Sequence, residues 1–452
     1  MATSADRQPD EREQDIDGFF TTARVAGRDE AVELTEDSYR SFLLPLEDPK
    51  LAGVRGMTYE EFAQDRYQAP FLRELLSYWD ELYREPYVGI TTDGVRIDGL
   101  YRLPDEPTSA SVAGEAAVRA ARGVLDTLTS GERDAVCHAI DDPHWRAWSN
   151  PEFVVYRVGL RLEVASEATV AAVHGLMAAS LSPEGYARVT EAMALNGYLG
   201  ELVDLPTVMN DRSYWFALYG DPDPVEPWGW QLFGHHVAVN FVSVGGRHVI
   251  APVFLGAEPA LTDDADVART PLFEARERLA LELAGSLSAE QRSKAVVYAS
   301  VLDPSMPEGR VHPADERHVA GAFRDNRVIP YEGMRVSELD ERQRGLLRRI
   351  VADALLLLAE PQHALALAEY DEHIDDTWLS WYGATDGSQP FYFRVHSPVL
   401  ITEFDDHAGV WLSNTLPARF HVHTTLRHPH GNDYGKALIA QWRDGRRCKA
   451  GE

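Results

Sequence analysis

The stretch Ser213–Phe241, SYWFALYGDPDPVEPWGWQLFGHHVAVNF, has an echo further along the chain in Asp376–Phe404, DTWLSWYGATDGSQPFYFRVHSPVLITEF. Both stretches are rich in aromatic and β-branched residues, and short segments containing Gly, Pro and Asp divide them. This pattern is typical of strands joined by turns. We therefore expect two strand-rich blocks of similar design.

The segments that precede these blocks also repeat in the same order. LTSGERDAVCHAI near residue 130 has a counterpart in LSAEQRSKAVVYAS near residue 290. The segment starting at Gly159, GLRLEVASEATVAAVHGLMAASLS, has a counterpart at Gly333, GMRVSELDERQRGLLRRIVADALLL. Their apolar residues recur at helical spacing. The sequence thus predicts an α+β fold of two pseudo-symmetric units in one compact chain, each helical and then mainly antiparallel sheet.

These patterns divide the chain into four parts. Residues 1–15 are polar and charged, which predicts a disordered tail. Residues 16–109 form an N-terminal extension, in which residues 62–84 have helical spacing and Tyr87–Leu103 alternates around an Asp-Gly turn, predicting a β-hairpin. Residues 110–270 are the first α+β unit, and residues 271–452 are the second.

Charge and composition narrow the range of partners. Asp and Glu number 72 against 43 Lys and Arg, a formal net charge of −29, so nucleic acid and anionic membranes are poor partners. The first residues lack the apolar core of a signal peptide, and the longest purely apolar stretch is Ala354–Ala359. We therefore expect a cytoplasmic protein. The two cysteines, Cys137 and Cys448, provide neither a disulfide framework nor a metal knuckle.

The segment Phe420-His421-Val422-His423-Thr424 is the clearest candidate for chemistry. On a strand, residues two apart project from the same face, so His421 and His423 would lie side by side while Phe420 and Val422 face the core. Two neutral imidazoles placed in this way can share one transition metal ion. The alternative is a solvated histidine face.

Glu403 is the predicted third metal ligand. On a strand over residues 395–405 it lies in line with Val399 and Ile401, and a carboxylate on an apolar face is costly unless a cation or metal compensates it. In the repeat it falls where Asn240 falls in the first copy. The alternative is a salt bridge to an arginine, for which the nearby candidates are Arg394, Arg419 and Arg427.

Two further histidines are candidates for a fourth ligand or for a catalytic acid or base. In Gly234-His235-His236, interpreted as part of a strand, His236 shares the more polar face with Asn240. His396 begins the strand that carries Glu403. For the first segment, the alternative is that His235 and His236 are a pair of core histidines bonded to the backbone.

Several spaced blocks resemble a known family. They are WGWQLFGHHVAVNF, APVFLGAEPA, the helix start LSAEQR, TEFD and HVHTTLRHPHGNDYG. Together they resemble a bacterial family known only as a domain of unknown function, number 3500, from about Leu125 to the C-terminus. The resemblance implies no established activity.

The candidate ligands His421, His423 and Glu403 would leave a coordination position open. Such a set binds Zn²⁺ and activates water, or binds Fe²⁺ and leaves room for O₂, while Cu or Mn are the less favoured ions. The sequence lacks the usual nucleotide-binding, zincin and serine-hydrolase motifs. We expect a metal-dependent hydrolase or lyase acting on a small molecule. The alternatives are a mononuclear non-haem iron or copper oxygenase and a non-catalytic small-molecule binding protein, and a homodimer stays open.

Overall fold

The computed structural model describes residues 39–104, 112–264, 267, 271–312 and 314–450. The tail predicted over residues 1–15 lies outside this part of the chain. Within it, the α-helices are α1 (Pro49–Ala52), α2 (Tyr59–Gln68), α3 (Pro70–Arg84), α4 (Val112–Thr127), α5 (Ser130–Val136), α6 (Glu167–Ser180), α7 (Pro183–Leu202), α8 (Glu274–Ser286), α9 (Ala289–Ala295), α10 (Glu341–Ala354), α11 (Gln362–Glu372) and α12 (Lys436–Ala450).

The helix starts follow from local sequence. At Thr129, before α5, the hydroxyl accepts from the Glu132 amide while the Glu132 carboxylate accepts from the Thr129 amide. Ser288 and Gln291 make the same reciprocal pair before α9. This capping box satisfies backbone donors that the first helical turn leaves free. The similar segments near residues 130 and 290 therefore begin their helices in the same way.

The strands are β1 (Cys137–His138), β2 (Leu160–Arg161), β3 (Tyr214–Tyr219), β4 (Trp228–Gly234), β5 (Val237–Val244), β6 (Arg247–Ala257), β7 (Val296–Tyr298), β8 (Met334–Arg335), β9 (Trp378–Tyr382), β10 (Tyr392–His396), β11 (Ile401–Asp406) and β12 (Val422–Arg427). They form one sheet in the order β1-β3-β4-β5-β6-β12-β11-β10-β9-β7, with β2 beside β3 and β8 beside β9.

Most neighbouring strands are antiparallel, and the exceptions are the parallel pairs β1–β3 and β7–β9 at the two ends. In the middle, β6 pairs antiparallel with β12, and Gly256 lies opposite His423. Strands from the first and second halves of the chain thus belong to one large mixed sheet. The fold combines helices with this mainly antiparallel sheet, as the sequence predicted.

Apolar side chains cover both faces of the sheet. Trp230 and Phe241 pack in the core formed with helices such as α6 and α10, whereas Phe233 and Phe254 pack in a second core. The second core contains residues of the N-terminal segment 39–104, including Trp79 of α3. Because strand residues alternate between faces, the same strands supply both cores. The sheet is therefore buried on both sides.

The hairpin predicted over Tyr87–Leu103 is wrong. Thr91 instead donates its amide to the Arg327 carbonyl and accepts from the Ile329 amide, at 3.2 and 2.7 Å. The segment therefore takes its backbone partners from another loop rather than from itself. The Asp93-Gly94 pair does form a local turn, since the Asp93 carboxylate accepts from the Val95 amide. The predicted helical spacing over residues 62–84 is confirmed by α2 and α3.

Among the described residues, no helix is both long enough and apolar enough to cross a membrane.

Candidate metal centre

The two histidines of the H-x-H segment meet on the sheet face that the N-terminal segment covers. β12 begins at Val422, so His421 lies just before the strand and His423 lies on it. Their Nε2 atoms are 3.0 Å apart and both rings are buried. His421 Nδ1 lies 2.8 Å from the Ala408 carbonyl. A carbonyl can only accept, so we assign the proton to Nδ1, which leaves the Nε2 lone pair directed at His423.

His236 approaches the same point from a tight turn. Gly234 pairs with Val237, so His235 and His236 are the two-residue loop of the β4–β5 hairpin. The prediction that His236 lies within a strand is therefore wrong, because the chain reverses there and His236 takes a left-handed backbone with φ of 63°. Its ring centroid lies 5.5 and 5.1 Å from those of His421 and His423.

Hydrogen bonds to both the amide and the carbonyl of His236 hold its left-handed backbone conformation. Its amide donates to Asn150 Oδ1 at 3.0 Å, and its carbonyl accepts from the Gly256 amide at 2.8 Å. Histidine is among the residues that enter the left-handed region more readily than most. The turn therefore holds the His236 ring in a defined direction.

The ring nitrogens of His236, His421 and His423 form one group. One ligand atom from each lies within 4.8 Å of the others. Two nitrogens bound to a common tetrahedral Zn²⁺ at about 2.0–2.1 Å would be about 3.3 Å apart. The 3.0 Å between His421 Nε2 and His423 Nε2, a hydrogen bond in this structure, is close to that separation. The geometry therefore fits shared ligation of one ion.

Gly256 leaves room for these rings. A Cβ atom on Gly256 would lie 2.6 Å from His423 Cδ2 and 3.1 Å from His236 Cδ2, too close for both rings to stay in place. The central strand β6 thus has no side chain at the position where the two imidazoles pack against it.

Burial keeps the imidazoles of His236 and His423 neutral. It lowers the pKa of His236 and of His423 well below the usual value, and it lowers the pKa of the neighbouring His235 to about 3. His235 stacks on His236 with ring centroids 3.8 Å apart, and its Nδ1 lies 2.8 Å from Asn196 Oδ1. Neutral imidazole is the form that ligates a metal.

Glu403, the predicted third ligand, is buried on the same sheet face but lies outside this group. It lies opposite Thr425, one step along the face from His423. Its carboxylate accepts from the Val319 and Ala320 amides, at 2.8 and 3.0 Å, and from Tyr392 Oη at 2.7 Å. The structure therefore places Glu403 in a hydrogen-bond network of its own.

The three arginines named as alternatives have other carboxylates. Arg394 contacts Glu332, Arg419 contacts Glu277 and Arg427 contacts Asp433. Burial alone would raise the pKa of Glu403, but His318, with Nδ1 3.6 Å away, holds it below its usual value. In turn, burial would lower the pKa of His318, but Glu403 raises it. The two form a buried pair of opposite charge.

His396 is also buried but distant in register from the H-x-H segment. It lies opposite Ile401 on β11, one step beyond Glu403 on the same face. Its ring centroid is 4.6 Å from that of Tyr331, and neither ring nitrogen has a hydrogen-bond partner among the described residues. Burial lowers its pKa well below the usual value. The structure does not bring His396 into the group of three.

Sequence reasoning missed a neighbouring group formed by His318, Asp405 and His407, whose ligand atoms also lie within 4.8 Å of one another. Asp405 lies directly opposite His423. A signal was present, since Glu403, Asp405 and His407 alternate along one strand face. His318 comes from a loop, and no local pattern marks it.

A third group, His138, Asp142 and His144, lies away from the sheet centre and is only partly buried. Asp142 Oδ1 already accepts from the His144 amide and caps a short 3₁₀ helix over Pro143–Ala147. Its arrangement is thus explained by helix capping.

The comparisons with known proteins give one match. A family model described as "Protein of unknown function (DUF3500)" matches residues 110–436, which is more than half of the chain. The chain belongs to this family, in agreement with the resemblance of its sequence blocks. No curated protein and no solved structure matches it.

Proposed function

We propose that this protein is a metal-dependent enzyme acting on a small molecule, with one divalent transition metal ion held by His236, His421 and His423. The observation that supports this most is the convergence of three buried ring nitrogens within 4.8 Å. Neutral imidazoles suit Zn²⁺, Fe²⁺ and Cu²⁺ better than they suit Mn²⁺. Zn²⁺ and Fe²⁺ are therefore our leading candidates.

The ion would act as a Lewis acid, polarising a substrate oxygen or lowering the pKa of water. The protein's own residues hold the ligands in place. The Ala408 carbonyl fixes the tautomer and ring direction of His421, the usual arrangement behind a ligating histidine. The hairpin turn does the same for His236. Burial of all three rings keeps bulk water away and strengthens electrostatic effects at the site.

The composition of the group favours hydrolase or lyase chemistry over oxygenation. Three histidines and one open position are a known catalytic zinc set, whereas non-haem iron oxygenases commonly use two histidines and one carboxylate. Glu403 is occupied by the Val319 and Ala320 amides, and this weakens an iron site that uses Glu403, although His318, Asp405 and His407 beside the centre are a set of two histidines and one carboxylate. A non-catalytic binding protein is the second candidate, and the complete burial of the rings favours it.

A cleft of about 340 Å³ offers a route for a small molecule. It is lined by the loop after β11 and by the N-terminal segment, including Lys50, Ala408 and Asn414. Ala408 links the cleft to the centre, because its carbonyl contacts His421. We therefore place the substrate entrance beside this loop.

Metal analysis of protein purified without a histidine tag tests the proposal. We expect bound Zn²⁺ or Fe²⁺ after incubation with each ion and removal of the excess, and the loss of one ion per chain in a His421→Ala/His423→Ala variant. His138→Ala, which disrupts the partly exposed group, is the matched control and should lose nothing. Protein that stays metal-free with Zn²⁺, Fe²⁺, Mn²⁺ and Cu²⁺ would overturn the proposal in favour of the binding protein.

We also infer that the sheet arose by internal duplication. The strand neighbours in the first half, β3-β4-β5-β6, match those in the second, β9-β10-β11-β12, and each set carries a parallel strand at its outer edge. Gly159 and Gly333 both have positive φ, and a Cβ on either would meet a carbonyl of the adjacent strand, Phe216 or Leu379, at 2.0 or 2.2 Å.

An experimental structure tests the duplication. Residues 125–255 and 285–410 should superpose with the same strand order and direction. A different strand order or direction in the two segments would refute it.

A further inference from the structure

The group formed by His318, Asp405 and His407 lies directly beside the proposed ion site. β11 and β12 are antiparallel, so Asp405 faces His423 across the strand pair. One step further, the His407 amide donates to the His421 carbonyl at 2.7 Å. The His407 and His423 rings are in contact, with centroids 3.8 Å apart. The two groups therefore share one wall of side chains.

From these contacts we propose that His318, Asp405 and His407 hold a second divalent metal ion, so that the protein has a two-metal centre. This deepens the proposed function and rests on it for the first ion. One ligand atom from each of the three residues lies within 4.8 Å of the others, and all three side chains are more than nine-tenths buried. Two imidazoles and one carboxylate are a ligand set for Zn²⁺, Fe²⁺ or Mn²⁺.

Three of the four ring nitrogens of this group lack a hydrogen-bond partner among the described residues, and the fourth, His407 Nδ1, lies 3.8 Å from Glu316 Oε1. Neither nitrogen of His318 has a hydrogen-bond partner among the described residues, although Glu403 lies 3.6 Å from Nδ1. His407 Nε2 is 3.2 Å from Asp405 Oδ2 but lies outside hydrogen-bond geometry. Buried polar atoms in folded proteins almost always have a partner, and here the unpartnered nitrogens of two rings converge with a carboxylate, which indicates a missing ligand, whereas His396 belongs to no such group among the described residues.

Asp405 is held in the manner of a monodentate ligand. Arg317 Nε donates to Oδ1 at 2.6 Å, and the Arg317 amide lies 3.2 Å from Oδ2. The carboxylate is thereby oriented with Oδ2 toward His407. Such support behind a ligating carboxylate is usual in metal sites.

A two-metal centre defines the substrate class more closely. Paired ions stabilise the attacking and leaving oxygens in the hydrolysis of phosphate esters, amides and related compounds. Because both groups are buried, the substrate must be a small molecule that enters past the loop after β11. We therefore infer a small phosphate ester or a small amide or ester as the substrate.

Loading of the apoprotein with Co²⁺ or Mn²⁺ tests the second site. We expect two ions per chain in the wild type and one in His318→Phe, which keeps a buried ring among Phe254 and Tyr392. His396→Phe is the matched control. It changes another buried histidine of the same sheet face whose nitrogens lack partners among the described residues, and it should keep two ions. Electron paramagnetic resonance of the Mn²⁺ form should show exchange coupling in the wild type and the control, and its loss in His318→Phe.

The outcomes separate the two proposals. One ion in the wild type that is lost in His421→Ala/His423→Ala and retained in His318→Phe would overturn the second site and leave the first. One ion retained in the double variant and lost in His318→Phe would support the second site alone. No ion in the wild type overturns both, and His318 is then only the charged partner of Glu403.

Discussion

The equivalent strand pairs β4–β5 and β10–β11 bury different kinds of polar residue at the same position. On β4–β5, Gln231 faces Asn240, and the two neutral amides are bonded at 2.6 Å. Asn240 also donates to the Pro252 carbonyl at 2.8 Å. On β10–β11, Arg394 faces Glu403, and both are charged residues under complete burial. The two neutral amides bond to each other, and Gln231 also donates to the Trp145 carbonyl at 2.7 Å.

Arg394 and Glu403 take partners from outside these two strands. Glu403 takes two of its hydrogen bonds from the amides of Val319 and Ala320, which lie in the loop that packs over this half of the sheet. The same loop carries His318 to the metal-ligand-like group. The buried carboxylate of Glu403 thus binds this loop, and the loop contributes His318 to the group. The comparison indicates that a charged residue at one strand position, Glu403, brings a loop with His318 to the sheet. At the equivalent position in the first half, the neutral Asn240 is part of a packed core.

Removal of the Glu403 carboxylate should have the largest effect. In the metal-free protein, Glu403→Ala leaves His318 charged and buried and removes the acceptor of the Val319 and Ala320 amides, so we expect a loss of about 3–5 kcal/mol in the free energy of unfolding. Urea denaturation measures it. Glu403→Gln keeps the shape, should cost less and should retain bound metal. A loss under about 1 kcal/mol for Glu403→Ala would contradict the role of the carboxylate.

Acid should destabilise the protein through its buried neutral histidines, and His248 and His428 are two that lie outside the candidate metal ligands. Burial lowers the pKa of His248, on β6, and of His428, after β12, to about 4. The unfolded chain takes up a proton near the usual pKa of about 6.5, so the stabilisation is complete above that pH and is lost as the pH falls toward 4. We expect each residue to account for roughly 3 kcal/mol of this loss.

Unfolding free energies measured from pH 7 to 4 check this, with His248→Phe and His428→Phe each flattening the slope. Equal slopes in the wild type and both variants would show that neither histidine is buried in its neutral form.

The neutral pair should have a smaller effect. Asn240→Leu leaves Gln231 and the Pro252 carbonyl without their partner, which should cost about 2 kcal/mol. Thermal and urea unfolding measure the loss. Gln231→Leu/Asn240→Leu removes both partners and should cost less than the sum of the single variants. Additive losses would mean that the two amides do not act as a pair.

A substitution in the turn between β10 and β11 should give the smallest loss of stability. Ser397 Oγ accepts from the Val399 and Leu400 amides in the turn before β11, at 3.2 and 3.1 Å. Ser397→Ala should therefore cost about 1 kcal/mol. Calorimetry detects this as a small fall in Tm. An unchanged Tm would show that the backbone hydrogen bond from the Ser397 amide to the Leu400 carbonyl, at 2.8 Å, is enough to hold the turn.

The parts of this fold that sequence could predict depend on neighbours along the chain. Alternating aromatic and β-branched residues identified the strands around Ser213–Phe241 and Asp376–Phe404, and apolar residues at helical spacing identified helices such as α6 and α10. The spacing of His421 and His423 alone placed their rings together. These features require no knowledge of distant contacts.

The remaining features depend on pairings between distant residues. The sequence Gly-His-His lacks the Asn-Gly signal of a two-residue turn, so His236 looked like a strand residue. Gly256 matters only because β6 pairs with β12. The amides that satisfy Glu403 come from Val319 and Ala320, far away in sequence. No local pattern contains these contacts.

The loop after β11 has a consequence for exchange rates. Glu258 accepts from the amides of Val410, Trp411 and Leu412, and the adjacent Ala408 carbonyl contacts His421. An ion held at the proposed centre could leave only when these contacts open together. Its off-rate should then follow the opening frequency of the loop rather than the strength of the metal–nitrogen bonds. The rate of Zn²⁺ release to a strong chelator would then report the rate of local unfolding of this loop, and Glu258→Gln should increase that rate.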